Sequence, residues 1–199
     1  MRHRQVRPLL HRGRLRLHRR AGLHARADQE AGRGDLTVGR SLPDALRALA
    51  GPVRWVGLGN PDWGDDGFGV RLAEALARAG CPGVVVAGTA PEDAVARLAG
   101  DGCAHVVFLD AVEFEGEPGA AVWMEASDLA ARFPQVSTHK LSLGLLARLF
   151  EARGVRVSLL GVKPQSLRPG TGLSEPVRRT MELLAGMLID ARRRPGVAG

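Results

Sequence analysis

From Val53 onward, short apolar runs alternate with segments of helical period, and this alternation restricts the fold more than any other feature. "VRWVGL" is short and apolar enough for a buried strand. "DGFGVRLAEALARAG" follows, with Phe68, Leu72, Leu76 and Ala79 at helical spacing and a glycine stop at Gly80. "GVVVAG", "AHVVFLDAV" and "VRVSLLGV" read as further strands, and "EPGAAVWMEA" as another, reached by a tight turn in "EFEGEPG". "APEDAVARLAG" predicts a short helix, and "STHKLSLGLLARLFEARG" a longer one capped by Ser137 or Thr138. "LSEPVRRTMELLAGMLIDARRR" predicts the closing helix, with Ser174 as cap and Pro176 in its first turn. Strands that alternate with helices imply an α/β fold. The expectation is a three-layer αβα arrangement around a mostly parallel, twisted sheet of five strands.

The formal net charge of +7 suggests a nucleic-acid partner until its distribution is considered. Twelve of the 28 basic residues but only four of the 21 acids lie in residues 1–50, so that segment carries +8 and the rest −1. The main body therefore has no basic excess, and no nucleic-acid partner is expected. Residues 1–40 lack a steady apolar period and read as a disordered extension. Three roles compete for it: an RNA- or membrane-binding arm, an organelle transit peptide, or a dispensable stretch upstream of the true start. The last is favoured. "SLPDALRALAG" predicts a short helix with Ser41 as cap, leading into the domain. The expected division is an extension over 1–50, a domain over 51–192 and a tail over 193–199. Two cysteines, Cys81 and Cys103, make no disulfide framework and read as packing residues in a reducing, cytoplasmic setting. No apolar run approaches the roughly 18–20 residues needed to span a bilayer.

In open α/β sheets, sites form beyond the carboxyl ends of the strands. That rule selects the loop "GNPDWGDDG" after the first strand, Asp110 at the end of "VVFLDAV", His139 in "STHKLSL", and "GVKPQ" after the last strand. The first loop carries Asp62, Asp65 and Asp66, which would repel a phosphate and suit a cation instead. Two carboxylates and an imidazole are ordinary ligands for zinc or nickel. Each residue also has a plainer role. Asp65 or Asp66 can cap the following helix, and His139 can simply open its own. Asp110 is harder to dismiss, because a carboxylate on an apolar strand is costly without a partner. His105 begins a strand and reads as structural. Trp63 either contacts an apolar part of a substrate or shields its turn.

"GNPDWGDDGFGV", "VVFLDAV" and "STHKLSL", in that order and spacing, resemble the hydrogenase maturation endopeptidases across about Val53 to Leu188. The family's first motif is a Gly-Asn pair, four variable residues, two acids and a glycine, matched here by Gly59, Asn60, Asp65, Asp66 and Gly67. The resemblance implies a phosphorylase/hydrolase-like fold. It implies an enzyme that removes the C-terminal peptide of a nickel-iron hydrogenase large-subunit precursor after nickel insertion. It places the metal-contacting and catalytic roles on Asp66, Asp110 and His139. The nickel would be carried by the substrate rather than held as a permanent cofactor, and the enzyme would act as a monomer. "GTAPED" and "GVKPQ" resemble most the subgroup serving formate-hydrogenlyase-type and cofactor-linked hydrogenases. The arginine-rich extension departs from the family.

Two other readings compete. Peptidyl-tRNA hydrolases also open with "VGLGNP", but they continue with an Arg-His-Asn run and a tyrosine-bearing segment; here "DWGDDGFG" follows, and the chain has no tyrosine. A non-enzymatic dinucleotide-binding module needs tight G-x-G-x-x-G spacing, which "GLGNPDWGDDG" breaks. No serine or cysteine nucleophile with a nearby base stands out. The chemistry expected is therefore either metal polarisation of a carbonyl or water, or acid-base action by one aspartate.

Overall fold

The computed structural model describes residues 41–92, 98, 102–128 and 143–193. Within them the order is α1 (Leu42–Arg47), β1 (Val53–Leu58), a 3-10 turn (Gly64–Gly67), α2 (Phe68–Arg78), β2 (Val84–Gly88), β3 (His105–Ala111), β4 (Ala121–Glu125), α3 (Leu143–Glu151), β5 (Arg156–Val162) and α4 (Glu175–Arg193). The five strands form one sheet in the order β2-β1-β3-β5-β4. The β1–β2, β1–β3 and β3–β5 pairs are parallel, and only β4 runs antiparallel, against β5. The α/β architecture and mostly parallel sheet are those expected from the sequence.

Alternation along the strands divides the core into two layers. Val107 and Leu109 of β3, Trp123 of β4, and Leu160 and Val162 of β5 face α1, α2 and α4. Val106 and Phe108 of β3, Val122 and Met124 of β4, and Val157 and Leu159 of β5 face α3. Helices thus cover both faces, which is why the central strands read as unbroken apolar runs. Each helix offers a matching stripe, such as Leu143, Leu146, Ala147 and Phe150 on α3. Phe150 meets Phe108 across this layer, ring centroids 6.4 Å apart. Truncating either ring to Ala would cost about 3–5 kcal/mol. Cys103 lies in the α3 layer and Cys81 packs against the other, both as free thiols.

The N-terminal boundary needs correction. Composition places the end of the extension at residue 50, yet Leu42, Ala45, Leu46 and Leu49 belong to the same buried cluster as α2 and α4. The Ser41 hydroxyl accepts from Asp44 N, as a cap should. The charges of this segment, Asp44 and Arg47, pair at 2.7 Å on its exposed side. The short helix predicted over "SLPDALRALAG" is present, and it belongs to the domain rather than to the arginine-rich stretch before it. The predicted helices over "APEDAVARLAG" and the start of "STHKLSL" fall largely outside the described residues, as do residues 1–40 and 194–199.

Candidate functional site

β1 and β3 end side by side. Their last register pair is Gly57 with Leu109, so Asp110 sits one residue further, level with Gly161 of β5. Asp110 is 1% exposed and its Oδ1 accepts from Ala111 N at 2.8 Å. Beyond β1 the chain turns at Gly59, whose φ of 108° is a left-handed conformation suited to glycine. A Cβ at Gly59 would lie 1.8 Å from the Asp66 carbonyl oxygen, so no other residue fits this turn. The turn folds the loop back on itself, and Asn60 N donates to Asp66 Oδ2 at 2.7 Å. Asp66 is 9% exposed. Gly69, in the first turn of α2, brings the helix against β3: a Cβ there would meet the Leu109 carbonyl oxygen at 1.9 Å. Asp66 and Asp110 therefore occupy one edge of the domain, at the carboxyl ends of neighbouring strands.

Asp65 has a different task. It is fully buried, and neither it nor Asp66 caps α2, which has no side-chain cap. Instead Asp65 Oδ2 accepts from Gln165 N (2.8 Å), Ser166 N (2.9 Å) and Ser174 Oγ (2.8 Å), and Oδ1 accepts from Ser174 N (2.6 Å). Ser174 holds the cap position of α4 by its carbonyl, which accepts from Arg178 N, but its hydroxyl serves Asp65. The partners lie 100–109 positions away in the chain. The doubled acid is the one sequence hint that two carboxylates here have two jobs.

Lys163, opening the loop after β5, bonds the Phe114 carbonyl oxygen and Glu113, fastening this loop to the one after β3. His139 lies outside the described residues. Among those described, no three His, Cys, Asp or Glu side chains form a metal-holding group. The donor chemistry of Asp66 and Asp110 nonetheless suits a hard or borderline divalent cation.

His105 is structural, as its place at a strand start suggests. It lies at the opposite end of β3, buried, with Nε2 2.9 Å from Ser158 Oγ. Ser158 donates its single hydrogen to Glu125 Oε2 at 2.7 Å, so His105 Nε2 must be the donor to Ser158. Nδ1 is then a bare lone pair, and it is buried without a hydrogen-bond partner among the described residues. Trp123 completes the group: its Nε1 donates to Glu125 Oε1 at 3.0 Å, and its ring meets His105 edge-on. Burial, with the nearby Arg156 charge, lowers the His105 pKa to about 4, and Glu125 offsets part of this.

The profile of the hydrogenase maturation proteases matches residues 70–191. The chain is 30% identical over 151 residues to the hydrogenase 2 maturation protease of Escherichia coli K12, spanning 71% of this chain and 91% of that protein. Among solved structures, it is similar to the [NiFe] hydrogenase maturation protease HycI from Thermococcus kodakarensis KOD1 (30% identity, TM-score 0.68, 77% of this chain and all of that one). It is also similar to the endopeptidase HycI from Escherichia coli (25% identity, TM-score 0.61, 74% of this chain and 95% of that one). The fold and these matches define a peptide hydrolase. The chain belongs to the hydrogenase maturation protease family, not to the peptidyl-tRNA hydrolases or the dinucleotide-binding modules.

Proposed function

We propose that this protein removes the C-terminal peptide of a nickel-iron hydrogenase large-subunit precursor once nickel is in place, and that Asp66, Asp110 and His139 recognise that nickel. The observation that carries the reading is the pair of buried acids, Asp66 and Asp110, at the adjoining ends of β1 and β3. Two carboxylates at one edge repel each other when alone and are relieved by a cation. The cation arrives on the substrate, so binding and cleavage depend on its presence. Hydrolysis adds water across the scissile amide: the C–N bond breaks, and a carboxylate and an amine are released. The acids hold the metal-bearing end of the precursor so that this bond lies at the site. The bond then yields to polarisation by the substrate's metal or to proton transfer by one aspartate. The free thiols of Cys81 and Cys103 fit work in the cytoplasm.

The test is to incubate the protein with nickel-loaded and nickel-free precursor and follow the small mass loss. Loaded precursor should be trimmed and nickel-free precursor left intact. Equal trimming of both would overturn the checkpoint.

A further inference from the structure

The loop joining β5 to α4 has no regular structure, and residues 165–172 are exposed. Such a loop ordinarily needs no interior anchor. This one is held by a buried carboxylate that accepts four hydrogen bonds, three from main-chain N–H groups and one from a hydroxyl. Three further main-chain bonds stitch it to the loop after β1: Asp65 N to Ser166 O (2.9 Å), Gly64 N to Thr171 O (3.2 Å) and Gly170 N to Asp62 O (2.8 Å). The two loops form one hydrogen-bonded ridge, and Asp66 is next in sequence to the clamp.

The ridge carries Trp63, 50% exposed, and Leu167, 39% exposed. Trp63 adjoins Gly64 and Asp62, which bond the second loop, and Leu167 adjoins Ser166, which bonds Asp65. Two large apolar side chains are thus presented to solvent on a surface whose main chain is fixed. Ordering a loop costs about 1–2 kcal/mol per residue, a cost that the exposed residues 165–172 do not recover in core packing. A preformed surface does reduce the entropy lost when a polypeptide binds. Elsewhere the exposed Leu183 and Met187 lie on α4, with nothing to indicate what covers them.

We propose that Asp65 is a positioning residue that locks the loop after β5 beside the candidate site, making Trp63 and Leu167 a preformed apolar contact for the precursor polypeptide. This rests on the peptidase reading given above. The contact seats the chain that leads to the scissile bond, while Asp66 meets the metal. Its effect belongs in precursor binding, not in the chemical step.

Hydrogen exchange and steady-state processing of nickel-loaded precursor test it together, using the full chain. In the unaltered protein the amides of Gln165, Ser166 and Ser174 should be protected despite the loop's exposure. Asp65→Asn places an NH2 against N–H donors and should erase that protection. Trp63→Ala and Leu167→Ala should each raise KM about tenfold, with kcat within about twofold. Asp65→Asn should do the same without touching either apolar side chain. Combining it with Trp63→Ala should add less than the two separate effects, because both act through one surface. Leu183→Ala, on α4, should change neither constant. Processing by the unaltered protein with KM unmoved by Trp63→Ala and Leu167→Ala overturns this inference and leaves the peptidase reading standing. Unprotected loop amides in the unaltered protein overturn the clamp. No processing of loaded precursor by a protein whose loop amides are protected overturns the peptidase reading, and this inference with it.

Discussion

At the carboxyl ends of β1 and β3, the buried acids Asp65, Asp66 and Asp110 each accept from main-chain N–H groups on loops and strand ends. At the amino ends of β3 and β5, His105, Ser158, Glu125 and Trp123 instead bond one another through side chains. The antiparallel β4 makes the second arrangement possible, because its last residue, Glu125, pairs with Ser158 at the start of β5. The contrast separates a structural network from the candidate site. A side-chain network ties the start of β3 to β4 and β5. Main-chain donors on turns hold buried carboxylates at the edge where β1 and β3 end. The carboxyl end concentrates acidic groups, whereas the amino end buries an imidazole held neutral.

The sharpest way to break this comparison is to remove acids from the carboxyl end. Asp66→Ala, Asp110→Ala and His139→Ala should each lower precursor processing by more than about a thousandfold, with cooperative unfolding preserved. Asp110→Ala also leaves Ala111 N without that acceptor, a cost of about 1–3 kcal/mol. Mass spectrometry of the precursor reads the rate. Activity within about tenfold of the unaltered protein in any two variants would show that the carboxyl end is not the site.

Acid probes the amino end. His105 has a folded pKa below its ordinary value, so the fold prefers the neutral ring. Its stabilising contribution is complete above about pH 6.5 and is lost as pH falls from there through about 4. The loss should reach roughly 2–3 kcal/mol. Urea unfolding of the unaltered protein and of His105→Gln, compared at pH 7, 5.5 and 4.5, measures it. The variant's stability should fall less steeply over that window; parallel curves would mean that another group carries the acid sensitivity.

Ser158→Ala sharpens the contrast further. It strips Glu125 of a donor and His105 Nε2 of an acceptor, and should cost about 1–3 kcal/mol. Thermal unfolding should shift while kcat for precursor stays unchanged; a fall in kcat would tie the two ends together. The smallest effect is expected from deleting residues 1–40, which retains Ser41 as the cap of α1. Stability should change by less than about 0.5 kcal/mol and processing not at all. Insolubility or lost activity of the truncated chain would assign that segment a role neither end explains.

Periodicity alone made the element order legible. Strand and helix patterns over Val53–Arg193 are set by burial on one or two faces, and burial writes itself into neighbouring residues. The same local rule exposed Asp110, a charge on an apolar strand, and the acidic loop after β1. It also marked α1 and its Ser41 cap, but not the membership of Leu42, Ala45, Leu46 and Leu49 in the domain core, because the arginines before them moved the composition boundary to residue 50.

What the sequence determined by itself was the α/β class, the strand ends that carry the candidate site residues Asp66 and Asp110, and the motif that points to the family. What only the tertiary structure decided was the different hydrogen-bond partners of Asp65 and Asp66, the clamp on the loop after β5, and the side-chain network around His105. Most of these hydrogen bonds join residues 33 to 109 positions apart. A hydrogen bond constrains a distance and an angle in space, not an interval along the chain. Two adjacent aspartates with the same chemistry become a structural clamp and a candidate ligand only when the folded chain brings different donors to each.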